Sequence, residues 1–193
     1  SFLMLTMMSI MLPRAGVAAE RIDEVLQTEM SILDPQQPEE WELNRGILKF
    51  SHVNFRYPGA QEDVLQDIDF TAEPGKTTAV IGSTGCGKST LVNLIPRFYD
   101  ITSGEITLDG VDIRKISKKQ LRDGIGFVPQ KAVLFSGTIA SNLRFGRPDA
   151  GEDELREAAE IAQAAEFIEG KEERYESRIA QGGSNVSGGQ RQR

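Results

Sequence analysis

Apolar residues recur along this chain in more than one rhythm, and each rhythm predicts a different element. A mostly apolar run covers Ser1 to Leu12. From there the apolar positions are Ala15, Ala18, Ala19, Ile22, Val25 and Leu26, with Arg14, Glu20, Arg21, Asp23 and Glu24 on the other faces. Steps of three and four residues predict an amphipathic helix that continues the opening run. Pro35 and Pro38 break the pattern, and Asp34 to Asn44 has the composition of a polar linker. The period then falls to two. Leu48 and Phe50 alternate, and Val53, Phe55 and Tyr57 alternate in the opposite phase. A phase switch inside a strand predicts a bulge near Ser51 and His52.

A second strand is predicted over Val64 to Ala72, followed by a turn at Pro74-Gly75. Two short apolar runs, Thr77 to Ile81 and Ile125 to Val128, predict buried strands. Lys88 to about Pro96 predicts a helix, and Lys119 to Asp123 a shorter one. Asp109-Gly110 between Ile106–Leu108 and Val111–Ile113 is a strong hairpin signal. From Gly137 the spacing turns helical, with a stripe at Leu155, Ala158, Ala159 and Ala162, and a glycine-rich joint runs from Gly182 to Gly189.

Composition narrows the picture. The 193 residues carry a formal net charge of -7, against the basic face a nucleic-acid reader needs, so no nucleic-acid partner is expected. Ten acidic and four basic residues lie between Glu152 and Arg178, which fits a solvated helix face. The single cysteine, Cys86, permits no intrachain disulfide, and no His, Cys and carboxylate cluster has metal-ligand spacing, so any metal is shared with a ligand. The single histidine, His52, reads as a strand-surface residue. The opening run is shorter than the roughly 20 residues a bilayer span requires, and it lacks the basic start of a signal peptide. It is expected to be a buried helix or the tail of a membrane helix cut off upstream, and the chain is expected to be a fragment at both ends.

Chemistry concentrates in two glycine-rich segments. Gly82-Ser83-Thr84-Gly85-Cys86-Gly87-Lys88-Ser89 matches the phosphate-loop pattern G-x-x-x-x-G-K-S/T without departure. Such a loop turns backbone N–H groups inward around a phosphate, and the following helix offers its positive end. Lys88 is expected to hold the β- and γ-phosphates, with Ser89 ligating Mg2+ and Thr90 also binding the nucleotide. Cys86, ahead of a helix N-terminus, is expected to be a reactive thiol. The second segment, Asn185-Val186-Ser187-Gly188-Gly189-Gln190-Arg191-Gln192-Arg193, resembles the signature of the ATP-binding cassette (ABC) family. Ser187, Gly188 and Gly189 again place N–H groups and a hydroxyl at a helix start.

The resemblance covers about Gly46 to Arg193 and is specific. It implies an α/β fold, a partial P-loop NTPase cassette: an antiparallel β subdomain, an incomplete RecA-like parallel sheet and a helical subdomain, preceded by an N-terminal helix. It implies the end of a last transmembrane helix and a connecting helix at 1–34, a linker at 35–46 and the cassette at 47–193, with about 131–193 mostly helical. Phe55-Arg56-Tyr57-Pro58 resembles the segment whose aromatic stacks on adenine, pointing to Tyr57. Gly126-Phe127-Val128-Pro129-Gln130 resembles the Q-loop, whose Gln130 would touch Mg2+ or the attacking water. Leu134 to Ile139 looks like the exporter version of this region. Ile179 to Ser184 takes the place of the exporters' cross-talk segment, although Gln181 stands where a glutamate is common.

The family implies ATP and Mg2+ as ligands. It also implies that Ser187, Gly188, Gly189 and Gln190 serve the γ-phosphate held by a second cassette, in a homo- or heterodimer. A transmembrane domain of the same polypeptide and a place on the cytoplasmic side of the cell membrane follow. The expected activity is ATP hydrolysis coupled to export. Two other members of the family's range are a soluble ABC ATPase and a non-catalytic half of a heterodimeric exporter. The family's apolar run ending in Asp-Glu and its later histidine do not occur up to Arg193. Their strands belong between the phosphate-loop strand and the Q-loop strand, so a gap and an exposed apolar seam are expected, with almost no hydrolysis by these residues alone.

Overall fold

The computed structural model describes residues 2–193. It divides into two units, 1–126 and 127–193. In the first, helix α1 (Phe2–Leu26) runs without interruption through Pro13. It is long and apolar enough to cross a membrane, and its most apolar window is wholly exposed. The stretch from Ala15 continues the opening run as one helix, as the spacing predicts, and the two together reach a length the run to Leu12 lacks alone.

Four strands make one antiparallel sheet in the order β2-β1-β3-β4: β1 (Leu48–Phe55), β2 (Leu65–Ala72), β3 (Ser103–Leu108) and β4 (Val111–Asp112). The register of β1 shifts against both neighbours between Phe50 and Asn54, and His52 there is left-handed, φ 48°. The extra residue turns Phe50, Val53 and Phe55 all inward despite their opposed phases, and all three are buried. Helices α2 (Lys88–Leu94) and α3 (Lys118–Asp123) complete this unit; Leu91, Leu94 and Leu121 join the sheet's core.

Residues 27–47 carry no helix or strand, yet they are tied down at four places. Lys118 donates its N–H to Asp34 and its ammonium to the Ile32 carbonyl. The Glu39 N–H donates to the Lys115 carbonyl. Buried Trp41 donates its indole N–H to the Leu108 carbonyl at 3.2 Å. Asp109, in the β3–β4 turn, accepts from the backbone N–H groups of Asn44, Arg45, Gly46 and Ile47 at 2.8 to 3.1 Å.

In the second unit β5 (Gly137–Thr138) pairs antiparallel with β6 (Arg178–Ile179). Around them stand α4 (Ile139–Leu143), α5 (Glu152–Ile161), α6 (Ala165–Glu169) and α7 (Gly188–Gln192). Ile139, Ala159, Ala164, Ile168 and Ile179 form its core. The acidic stretch is the solvated face expected of it: Glu152, Asp153 and Glu154 fill the first turn of α5, where the helix dipole favours negative charge.

Two expected strands do not form. Neither 77–81 nor 125–128 belongs to a ladder among the described residues. Ile81 is 90% and Val128 77% exposed. A buried parallel strand needs a neighbour on each edge, and these runs find none within the described residues. The apolar side chains of Ile81 and Val128 are left open to solvent, each within its own unit.

Candidate functional site

The phosphate-loop segment sits at the head of α2, whose opposite face is anchored. Leu91 and Leu94 are buried against Phe50, Phe55 and Ile106. At the far end buried Arg97 makes a two-pronged pair with Asp100, at 2.6 and 3.1 Å, and Arg122 donates to the carbonyls of Pro96 and Arg97. A buried guanidinium so paired costs little to keep out of water. Gly87 caps the helix start in a left-handed conformation, φ 93°. A Cβ there would lie 2.8 Å from the Leu65 side chain, so the turn needs glycine on two grounds. A Cβ at Gly82 would lie 2.6 Å from the Cys86 sulfur.

Lys88 folds back across this loop. Its ammonium donates to the carbonyls of Gly82 at 2.9 Å and Ser83 at 2.7 Å, and lies 3.7 Å from the Cys86 sulfur. Ser83, Thr84, Gly85, Cys86 and Ser89 are exposed around it. The arrangement is an open cradle with one cation at its centre. Incoming phosphate oxygens can take over the carbonyls' places on the ammonium with no net loss of hydrogen bonds. Among the described residues no cluster of three or more His, Cys, Asp or Glu could hold a metal ion by itself. The oxygen donors here, the Ser89 hydroxyl among them, suit a hard cation that keeps most of its shell from water and phosphate.

Tyr57 lies in the loop after β1, half-buried. Its ring meets Phe55 and Tyr99 edge-on, with centroids 4.8 and 5.1 Å away, and its hydroxyl lies 3.0 Å from Thr90 Oγ1 on the first turn of α2. Thr90 is buried, so its hydroxyl serves Tyr57. The structure therefore brings together Tyr57, Gly82 to Ser89 and Thr90.

The remaining expected residues belong to the second unit. Gln130 is exposed in the loop after 125–129. Ser187 caps α7: its hydroxyl accepts from the Gln190 N–H, and its own N–H donates to Gln190 Oε1. Gly188 and Gly189 form the exposed first turn. Asn185, given no role of its own in the sequence beyond opening the signature-like segment, ties the Arg178 carbonyl and the Ala180 N–H to this joint. Asx side chains bridging nearby backbone are the signal that identifies it.

Electrostatics pick out two groups away from the cradle. Partial burial pushes the Asp109 carboxyl up, but its four backbone bonds outweigh that and hold it down at about 2. The hydrogen bond that His52 Nδ1–H donates to Asp67, and then the charges of Asp67 and Asp69, raise His52 above its ordinary value.

Comparison with known proteins bears on this geometry. The family described as ABC transporter matches residues 65–193. An uncharacterized ABC transporter ATP-binding protein of Mycobacterium tuberculosis is 49% identical over 195 residues, covering 99% of this chain and 33% of the relative. A fatty acid ABC transporter ATP-binding/permease protein of the same species is 45% identical, covering 93% of this chain and 28% of the relative. The structure of a bacterial Atm1-family ABC exporter with ATP bound superposes with a TM-score of 0.85 at 31% identity, over 97% of this chain and 33% of that one. The chain thus spans about a third of the length of the curated relatives it matches.

Proposed function

This chain belongs to the ABC transporter family, and we propose that it is the ATP-binding cassette of an exporter that couples ATP binding and hydrolysis to movement of a substrate across a membrane. The observation that carries this is the Lys88 ammonium, held by two loop carbonyls at the head of a buried-face helix. Lys88 takes the β- and γ-phosphates, the loop N–H groups wrap them, and the Tyr57 ring stacks on the base. Ser89 would hold Mg2+, which would supply charge neutralisation on the phosphate oxygens, and Gln130 is proposed to contact the ion or the attacking water. Ser187, Gly188, Gly189 and Gln190 serve the nucleotide held by a second cassette, so that ATP closes a dimer. The membrane-competent helix α1 and the likeness to a permease-linked relative and an exporter structure favour an exporter over a soluble ATPase. The cassette would then lie on the cytoplasmic side, joined to a transmembrane domain of the same polypeptide.

These 193 residues contain one histidine, His52, and no apolar run ending in Asp-Glu, so almost no turnover is expected from them alone. Binding is the decisive test. Displacement of a fluorescent ATP analogue should be lost in Lys88→Ala, while the Trp41 unfolding curve is unchanged. Equal affinity in the variant would refute the assignment.

A further inference from the structure

We propose that Thr90 is a positioning residue: its hydroxyl holds the Tyr57 ring at a fixed distance from the phosphate loop, so one helix sets both ends of the nucleotide site. The inference rests on the base-stacking role given to Tyr57 above. Tyr57 lies beyond the last ladder residue of β1, so no strand pairing fixes it. Thr90 is fixed, because it is 7% exposed and its neighbours Leu91 and Leu94 are buried in the core. The 3.0 Å bond between their hydroxyls therefore transfers constraint from helix to ring. Edge contacts with Phe55 and Tyr99 limit the ring's tilt, with interplanar angles of 81° and 87°. The hydroxyl bond adds the remaining restraint, on how far the ring reaches. A pre-oriented ring binds a base without first losing rotamer freedom, which is an affinity gain from organisation and not from new contact.

Two substitutions remove this bond with little change in volume: Thr90→Val and Tyr57→Phe. ATP and inorganic tripolyphosphate are the probes, titrated against the full chain. Each variant should weaken ATP about three- to tenfold, the range of one neutral hydrogen bond, and leave tripolyphosphate unchanged. The double variant should be no weaker than either single one, since both remove the same bond. Thr90→Ser, which keeps the hydroxyl, should restore ATP affinity. Equal weakening of both probes by Thr90→Val would overturn the proposal, because Thr90 would then act through the phosphate loop. So would losses that multiply in the double variant. Tyr57→Ala separates this from the base-stacking role. If it leaves the preference for ATP over tripolyphosphate intact, that role fails. If it abolishes the preference while Thr90→Val and Tyr57→Phe keep it, only the positioning by Thr90 fails.

Discussion

Replacing Asp109 by asparagine keeps the shape of the β3–β4 turn and removes its charge. The carboxylate accepts four backbone N–H groups: Oδ2 serves Asn44, Arg45 and Gly46, and Oδ1 serves Ile47. An amide offers one oxygen, and its NH2 group faces the Ile47 N–H or the other three. Lowering of the pKa from 3.8 to about 2 corresponds to roughly 2.5 kcal/mol at most. Asn44 and Arg45 are exposed, so water screens part of this and roughly 1 kcal/mol is expected. In a chain of this size that lowers the unfolding temperature by about 2–4 °C. The sole tryptophan reports on the same turn, because its indole bonds to the carbonyl of Leu108. Urea unfolding followed by Trp41 emission should therefore shift to lower urea in Asp109→Asn at pH 7. The sign follows from the depressed pKa: the stabilisation is present above the ordinary value near 3.8 and fades as pH falls toward 2. The gap between the two proteins should close over that interval and stay constant from pH 5 to 8. A variant as stable as the parent at pH 7, or a gap that persists at pH 2, would refute the reasoning.

Other expectations concern the cradle and the sheet surface. Gly87→Ala forces a side chain into a left-handed position and onto Leu65, and should lower stability by roughly 2 kcal/mol in urea unfolding as well as abolishing ATP-analogue binding. Cys86 is exposed beside the Lys88 ammonium, so iodoacetamide should label it readily and MgATP should slow that labelling; a rate indifferent to MgATP would remove Cys86 from the nucleotide site. His52 should titrate above its ordinary 6.5 in an NMR titration, and Asp67→Asn should bring it back. Its small contribution to stability is present below the ordinary value and is lost as pH rises through the raised one.

Much of the fold could be read from the pattern of the chain. Opposed phases in Leu48–Phe50 and Val53–Tyr57 announced the bulge at His52, and Asp109-Gly110 announced the hairpin, with both turn residues left-handed. Local rules also located the loop and helix of the cradle. The runs 77–81 and 125–128 misled because strand composition says nothing about whether an edge finds a partner. The ties on residues 27–47 were hidden for a different cause: they pair Asp34, Glu39, Trp41 and 44–47 with residues some 62 to 84 positions away. No local periodicity carries a contact of that separation. The bond between Tyr57 and Thr90, 33 residues apart, was invisible for the same reason, although each residue stood out singly.

The tied segment after α1 has a mechanical consequence. Between Leu26, the end of the helix, and Ile32, whose carbonyl holds Lys118, lie only five residues, and the first two, Gln27 and Thr28, still bond back to the last turn of α1. Fully extended, the five reach about 17 Å. A displacement of the helix that draws the segment to that reach passes tension to Lys118 and α3, and then through Trp41 and Asp109 to the β3–β4 turn. A displaced α1 therefore pulls on the edge of the antiparallel sheet, and inserting flexible residues between Leu26 and Ile32 would uncouple the two.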